Sequence, residues 1–167
     1  MTLVIDASVV LRSLIACPGD ALASERAAAA LSRVVEGEHG VLQPPHWLAE
    51  VAEALQSMSP QTASQDVTLL AALEWPECRE PLVFSRACEL AALLRRPVRE
   101  TLYHATALEA EDGLLVTADL SYLRAARHVS RVVSVGEWLA SSRPAAGPSG
   151  GGGGPRSTSP KASRSGG

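Results

Sequence analysis

Two short apolar runs, each leading into an aspartate, constrain this chain more than any other feature. The first is Leu3-Val4-Ile5-Asp6 and the second is Leu114-Leu115-Val116-Thr117-Ala118-Asp119. Runs of this length, rich in Leu, Val and Ile, read as strands buried on both faces. An acid at the carboxyl end of such a strand lies where open α/β sheets place their ligands. If both strands belong to one parallel sheet, both aspartates emerge on the same edge.

The stretch between the two runs is mostly helical in pattern. Ala7 to Ile15 suits a first helix, stopped by Cys17-Pro18-Gly19-Asp20. Ala21 to Glu36 is an Ala-rich helix with Leu22, Ala29, Leu31 and Val35 among its apolar members, closing at Gly37. Gly40 to Gln43 predicts a short strand, and Pro44-Pro45 opens a helix to Met58 carrying Trp47, Leu48, Val51 and Leu55 at helical spacing. Gln61 to Glu74 is amphipathic through Val67, Leu70 and Leu73. Pro81 to Phe84 reads as a strand or as the start of the helix from Ser85 to Arg95, and Arg99 to Glu111 is helical again. After the second strand come a helix from Leu120 to Arg127, a strand from Arg131 to Val135 and a closing turn from Gly136 to Ala140. Strands alternating with helices imply an α/β fold, a central parallel sheet with helices on both faces.

The domain is expected to span residues 1–140, leaving 141–167 as a disordered Gly/Ser/Pro-rich tail that includes Gly150 to Gly154. Such a composition buries too little apolar surface to offset its ordering entropy. Aromatic residues are only 4% of the chain while hydrophobic residues are 46%, much of it Ala and Leu, which favours helix-rich α/β architecture over a sandwich. A formal net charge of -3 excludes a broadly basic surface, so contact with nucleic acid must come from local patches. Cys17, Cys78 and Cys88 lack paired metal-ligand spacing and read as buried thiols in a reduced, cytoplasmic setting. Leu14-Ile15-Ala16-Cys17 has the look of a lipoprotein cleavage box, but no basic segment precedes it and Asp6 interrupts the apolar run. No membrane span is expected.

Two further acids sit on predicted helices that can pack against the sheet, Glu50 and Glu100. Two carboxylates about 5 Å apart repel by roughly 3 kcal/mol at an effective dielectric near 20. Gathering four therefore raises some of their pKa values unless a cation joins them. A hard divalent ion prefers oxygen ligands, so Mg²⁺ or Mn²⁺ fits the set Asp6, Glu50, Glu100 and Asp119. Such an ion orients a phosphodiester and helps ionise a water. The plainer account is that Glu100 lies in a helix first turn for the dipole's sake, and that Glu50 is a solvated face residue.

Four segments together resemble the PIN-domain ribonucleases, most closely VapC-type toxins of toxin–antitoxin modules. They are Val4-Ile5-Asp6-Ala7-Ser8-Val9-Val10, Pro45-His46-Trp47-Leu48-Ala49-Glu50-Val51, Tyr103-His104-Ala105-Thr106-Ala107-Leu108 and Leu115-Val116-Thr117-Ala118-Asp119-Leu120-Ser121-Tyr122-Leu123, in the family's order. The resemblance implies a PIN-like three-layer fold, with Asp6, Glu50 and Asp119 as metal-binding acids and Ser8 and Thr117 as hydroxyls that steady the site. It further implies metal-dependent hydrolysis of an RNA substrate, a homodimer, and neutralisation by a cognate antitoxin protein. One departure stands out: the family carries aspartate three residues before the helix tyrosine, and this chain carries Glu100. The longer side chain pushes the carboxylate outward and adds a rotamer to fix.

Other residues admit two readings each. His104 is either a partner of the acids or a half-buried histidine bonded to backbone. Arg95, Arg96 and Arg99 either meet RNA phosphates or are solvated helix-end arginines. Trp47, Trp75 and Trp138 read as core or interface anchors. Two alternatives to a nuclease follow: a catalytically weakened PIN-like module that binds RNA or a partner, and a phosphatase with Asp6 as nucleophile. The phosphatase is the poorer fit because Ser8 stands where such enzymes usually carry a second aspartate.

Overall fold

The computed structural model describes residues 1–15 and 19–141. Cys17 and the tail from residue 142 onward lie outside the described residues. Four strands form one all-parallel sheet: β1 (Thr2–Ile5), β2 (Gly40–Val41), β3 (Gly113–Thr117) and β4 (Val132–Ser134). Their spatial order is β2-β1-β3-β4. The register sets Val4 against Leu115 and Ile5 against Val116, and all four are buried as a doubly covered parallel sheet requires.

Eight helices surround the sheet among the described residues: α1 (Ala7–Leu14), α2 (Ala21–Val35), α3 (Trp47–Met58), α4 (Ala63–Ala71), α5 (Pro81–Leu94), α6 (Val98–Glu109), α7 (Leu120–Ala125) and α8 (Val135–Ser141). The fold is the expected three-layer α/β arrangement. From β1 the chain moves to β2 on one side, whereas from β3 it moves to β4 on the other. With right-handed crossovers, these opposite directions send the two connections to opposite faces. The gap between the carboxyl ends of β1 and β3 is therefore a topological switch point, the crevice where open α/β sheets bind ligands.

The helix facing that crevice from the sheet's interior is α6, which packs on β1, β3 and α5. Every residue from Thr101 to Ala107 is buried. Its two buried threonine hydroxyls are satisfied, Thr101 Oγ1 donating to the Ala87 carbonyl at 2.8 Å and Thr106 Oγ1 to the Leu102 carbonyl at 2.8 Å. Close packing also explains Gly113, where a Cβ would stand 2.2 Å from the Ala107 carbonyl oxygen.

Several expectations shift. The strand expected over Gly40 to Gln43 ends at Val41, because the Gln43 side chain takes over the edge pairing. Its Nε2 donates to the Ile5 carbonyl at 3.0 Å, and its Oε1 accepts from the Ile5 N–H at 3.2 Å. The ambiguous Pro81 to Phe84 is the first turn of α5, with Pro81 at its opening where a missing N–H costs nothing. In α2 the core-facing residues are Ala27, Ala30 and Val34, while Leu22 and Val35 are exposed. The buried-thiol reading fails for Cys88, which is exposed on α5, and Cys78 is only partly buried. The tryptophans behave as expected: Trp47 and Trp138 are buried and Trp75 packs on Trp47 at 5.1 Å between centroids. Among the described residues, no helix is long and apolar enough to cross a membrane.

Candidate metal centre

Asp6 ends β1 and serves as N-cap of α1, so its position is fixed by both elements. Its N–H donates to the Val116 carbonyl at 3.1 Å, which continues the β1–β3 ladder. Its Oδ1 accepts from the Ser8 N–H at 3.0 Å, and its Oδ2 accepts from the Thr117 hydroxyl at 2.5 Å. The hydroxyls are themselves fixed. Ser8 Oγ accepts from the Ala118 N–H at 3.0 Å and lies 3.4 Å from Thr117 Oγ1, which accepts from the Asp119 N–H at 3.0 Å. Ser8 and Thr117 thus tie the ends of β1 and β3 together. Burial of its carboxyl raises the pKa of Asp6; the Thr117 and Ser8 hydrogen bonds oppose this, while the charges of Glu50 and Asp119 push it further up. The three acids are close enough for their charges to couple.

Asp119 follows β3 and caps α7, its Oδ1 accepting from the Ser121 N–H at 2.7 Å and the Tyr122 N–H at 3.0 Å. Its Oδ2 receives Arg96 Nη2 at 3.0 Å. Glu100, in the first turn of α6, has its Oε2 at 3.0 Å from Arg96 Nε. One guanidinium therefore joins two of the four acids.

Glu50 comes from α3. The Tyr103 hydroxyl on α6 donates to its Oε2 at 2.9 Å, and His46 Nε2 lies 3.5 Å from the same oxygen. Burial would raise the Glu50 pKa, but hydrogen bonding by His46 and Tyr103 and the nearby Arg99 charge outweigh it and hold it lowered. Glu50 is thus kept ionised. Burial, with the charges of Glu50 and Asp6 behind it, drives the Tyr103 phenol far up, so it remains a donor.

The structure places all four sequence-predicted acids around the switch point, but in two different settings. Asp6 and Glu50 are held by hydroxyls, an N–H and an imidazole, while Glu100 and Asp119 share Arg96. Among the described residues no three acidic, histidine or cysteine side chains stand close enough to enclose a metal ion by themselves. The donor chemistry nonetheless fits Mg²⁺ or Mn²⁺: Mg²⁺ is commonly held by one or two carboxylates, its remaining positions taken by water and substrate phosphate.

Sequence reasoning did not connect three neighbours of the site to its acids. Arg96, read as a phosphate contact or a solvated helix-end arginine, turns inward to Glu100 and Asp119. His46 carries no ligand spacing in sequence, yet it meets Glu50 one helical turn along, and its ring lies 5.1 Å from that of Tyr103. Tyr122 lies under Arg96, 5.8 Å from ring centroid to guanidinium. The histidine singled out on α6 is fully buried: His104 Nε2 bonds the Ser130 carbonyl at 2.7 Å and Nδ1 meets the Tyr122 hydroxyl at 3.1 Å. Burial lowers its pKa, against the Ser130 bond, so it is neutral. With a carbonyl on Nε2, that nitrogen carries the proton and Nδ1 accepts from Tyr122. His104 therefore supports Tyr122 and does not ligate a metal.

Open depressions flank the acids. One is lined by Arg12, Arg26, Thr117, Ala118 and Ser134, the other by His46, Glu50, Glu53 and Arg99. No model of a known protein family matches this chain, and no curated protein matches it as a relative.

Proposed function

We propose that this chain is a metal-dependent endoribonuclease of the PIN-domain type, acting as the toxin of a toxin–antitoxin pair. One observation carries the reading: Asp6 and Asp119 emerge on either side of the switch point, and Glu50 and Glu100 reach the same place from α3 and α6. A protein with only structural needs has little reason to converge four acids there, given the repulsion among them.

A bound Mg²⁺ supplies polarisation of the phosphodiester and a more acidic water. The chain's own residues supply position. Thr117 and Ser8 fix the Asp6 carboxylate, and the Tyr103 hydroxyl fixes that of Glu50, so neither rotates when charge develops. Arg12 and Arg26 on one side and Arg99 on the other offer cations for backbone phosphates of an RNA strand crossing the sheet edge. The same reading includes a homodimer and a small antitoxin that covers the acids.

The test is cleavage of an RNA oligonucleotide by the purified chain. Activity is expected with Mg²⁺ or Mn²⁺ and is expected to vanish on chelation, and Asp6→Asn is expected to lower it on the order of 10²–10³-fold with the fold intact. Cleavage without divalent metal, or full activity in that variant, refutes the assignment. A second reading, a module that binds RNA or a partner without cutting, draws on Arg96, which already neutralises part of the acid cluster. Failure to bind Mn²⁺ at millimolar concentration favours it.

A further inference from the structure

The four acids are unequally supplied with positive charge. Arg96 places Nε 3.0 Å from Glu100 Oε2 and Nη2 3.0 Å from Asp119 Oδ2, so one planar group bridges acids from two elements. Among the described residues no arginine or lysine forms an ion pair with Asp6 or Glu50.

Arg96 reaches this place through a specific turn. Arg95 closes α5 in the left-handed conformation at φ 53, an unusual state for a residue with a side chain. That turn lets the Arg96 N–H donate to the Ala91 carbonyl at 3.2 Å and aims its side chain at the sheet edge, before Pro97 starts α6. The guanidinium then lies over the Tyr122 ring, whose hydroxyl is held by His104. Only 23% of the Arg96 side chain is exposed. It is a seated cation, held by Glu100, Asp119 and the Tyr122 ring.

Both nitrogens meet their acids at direct contact, and Asp119 Oδ1 is already taken by two N–H groups of α7. A divalent ion entering between Glu100 and Asp119 must lie beside a fixed positive charge and compete for the same oxygens. Paired metal ions in phosphodiester-cleaving sites sit roughly 3.5–4 Å apart and need carboxylates on both sides. Here one of those sides is filled.

Resting on the nuclease reading, we infer that Arg96 is a resident counter-cation that substitutes for a second metal ion. The site accordingly takes a single divalent ion on the Asp6–Glu50 side. Arg96 is a positioning residue in this account: it holds Glu100 and Asp119 in place and fixes the number of ions.

Calorimetric titration of the full chain with Mn²⁺ alone, in the absence of RNA, tests this by stoichiometry. Wild type is expected to bind one ion, Arg96→Gln two, and Arg96→Lys, which keeps the charge, one. Thermal melting identifies whether each variant is folded. Two ions on wild type overturn the inference while leaving the nuclease reading standing. So does a folded Arg96→Gln that still binds one ion with unchanged affinity. A wild-type count of two overturns the inference even if Arg96→Gln does not fold. No Mn²⁺ bound to wild type removes the nuclease reading itself, and this inference with it.

Discussion

Asp6 and Asp119 occupy matching places, each at the carboxyl end of a central strand and each the N-cap of the next helix. Their surroundings are opposite in kind. Asp6 is held by neutral donors and by nothing positive, and burial pushes its pKa up. Asp119 is 37% exposed at its side chain, accepts two cap N–H bonds and pairs with Arg96. The same unit of sequence thus yields one carboxylate that needs a cation and one that already has one. Position in the fold makes both candidates for chemistry, and the partners decide which of them a metal serves.

The largest expected effect comes from Asp6→Asn, on the order of 10²–10³ in RNA cleavage, the scale set by losing a preorganised electrostatic group. Asparagine caps a helix as well as aspartate does, so α1 is kept. Because the folded pKa of Asp6 is raised above 3.8, ionisation at higher pH costs the folded state stability. Metal-free Asp6→Asn should therefore melt above wild type at neutral pH, the gap narrowing as pH falls towards 3.8. A variant that melts lower at neutral pH breaks the account of Asp6 as a buried, uncompensated charge.

Thr117→Val comes next. It removes the hydroxyl that fixes Asp6 Oδ2 and accepts the Asp119 N–H, and should weaken Mn²⁺ binding by roughly 10–100-fold, the cost of losing a group that orients a ligand. Unchanged affinity in a titration would show that the hydroxyl only joins the strands.

Asp119→Asn should behave oppositely to Asp6→Asn in stability. The cap survives, but the partly exposed pair with Arg96 is lost, at a cost of about 1 kcal/mol or less. Denaturant unfolding measures it, and equal signs for the two substitutions erase the contrast drawn between the aspartates.

The smallest effect belongs to His104, beneath the Asp119 side. Burial lowers its pKa, so the folded state takes up its proton less readily than the unfolded chain. The stability this provides is full above 6.5 and is lost as pH falls below that value. Wild type should lose melting temperature as pH falls below 6.5, and part of that loss should vanish in His104→Asn.

The sheet and its acids were legible because their signals are local. An apolar run ending in aspartate specifies both a buried strand and the edge where it stops, and the alternation of strands with helices fixes a parallel sheet. What escaped the sequence depended on single backbone states and long-range packing. Arg96 reads as one arginine in a basic cluster until the positive φ at Arg95 turns it inward. His46, the N-cap of α3, meets Glu50 one turn along its own helix, but its contact with the Tyr103 ring depends on α6 lying alongside. Gln43 meets Ile5 of β1 by its side chain while its backbone pairs with Pro76 and Cys78, which composition cannot distinguish. Cys88 shows the limit of reasoning from residue type, since α5 turns that position to solvent.

The central claim is that carboxylates at the switch point serve metal-assisted attack of water on RNA. Mass analysis of RNA fragments made by wild type in isotopically labelled water, with Mg²⁺, tests it most directly. The account predicts fragments ending in a linear phosphate that carries one solvent oxygen, and none when the metal is chelated. Fragments ending in a cyclic phosphate, or cleavage that persists with chelator, contradict it.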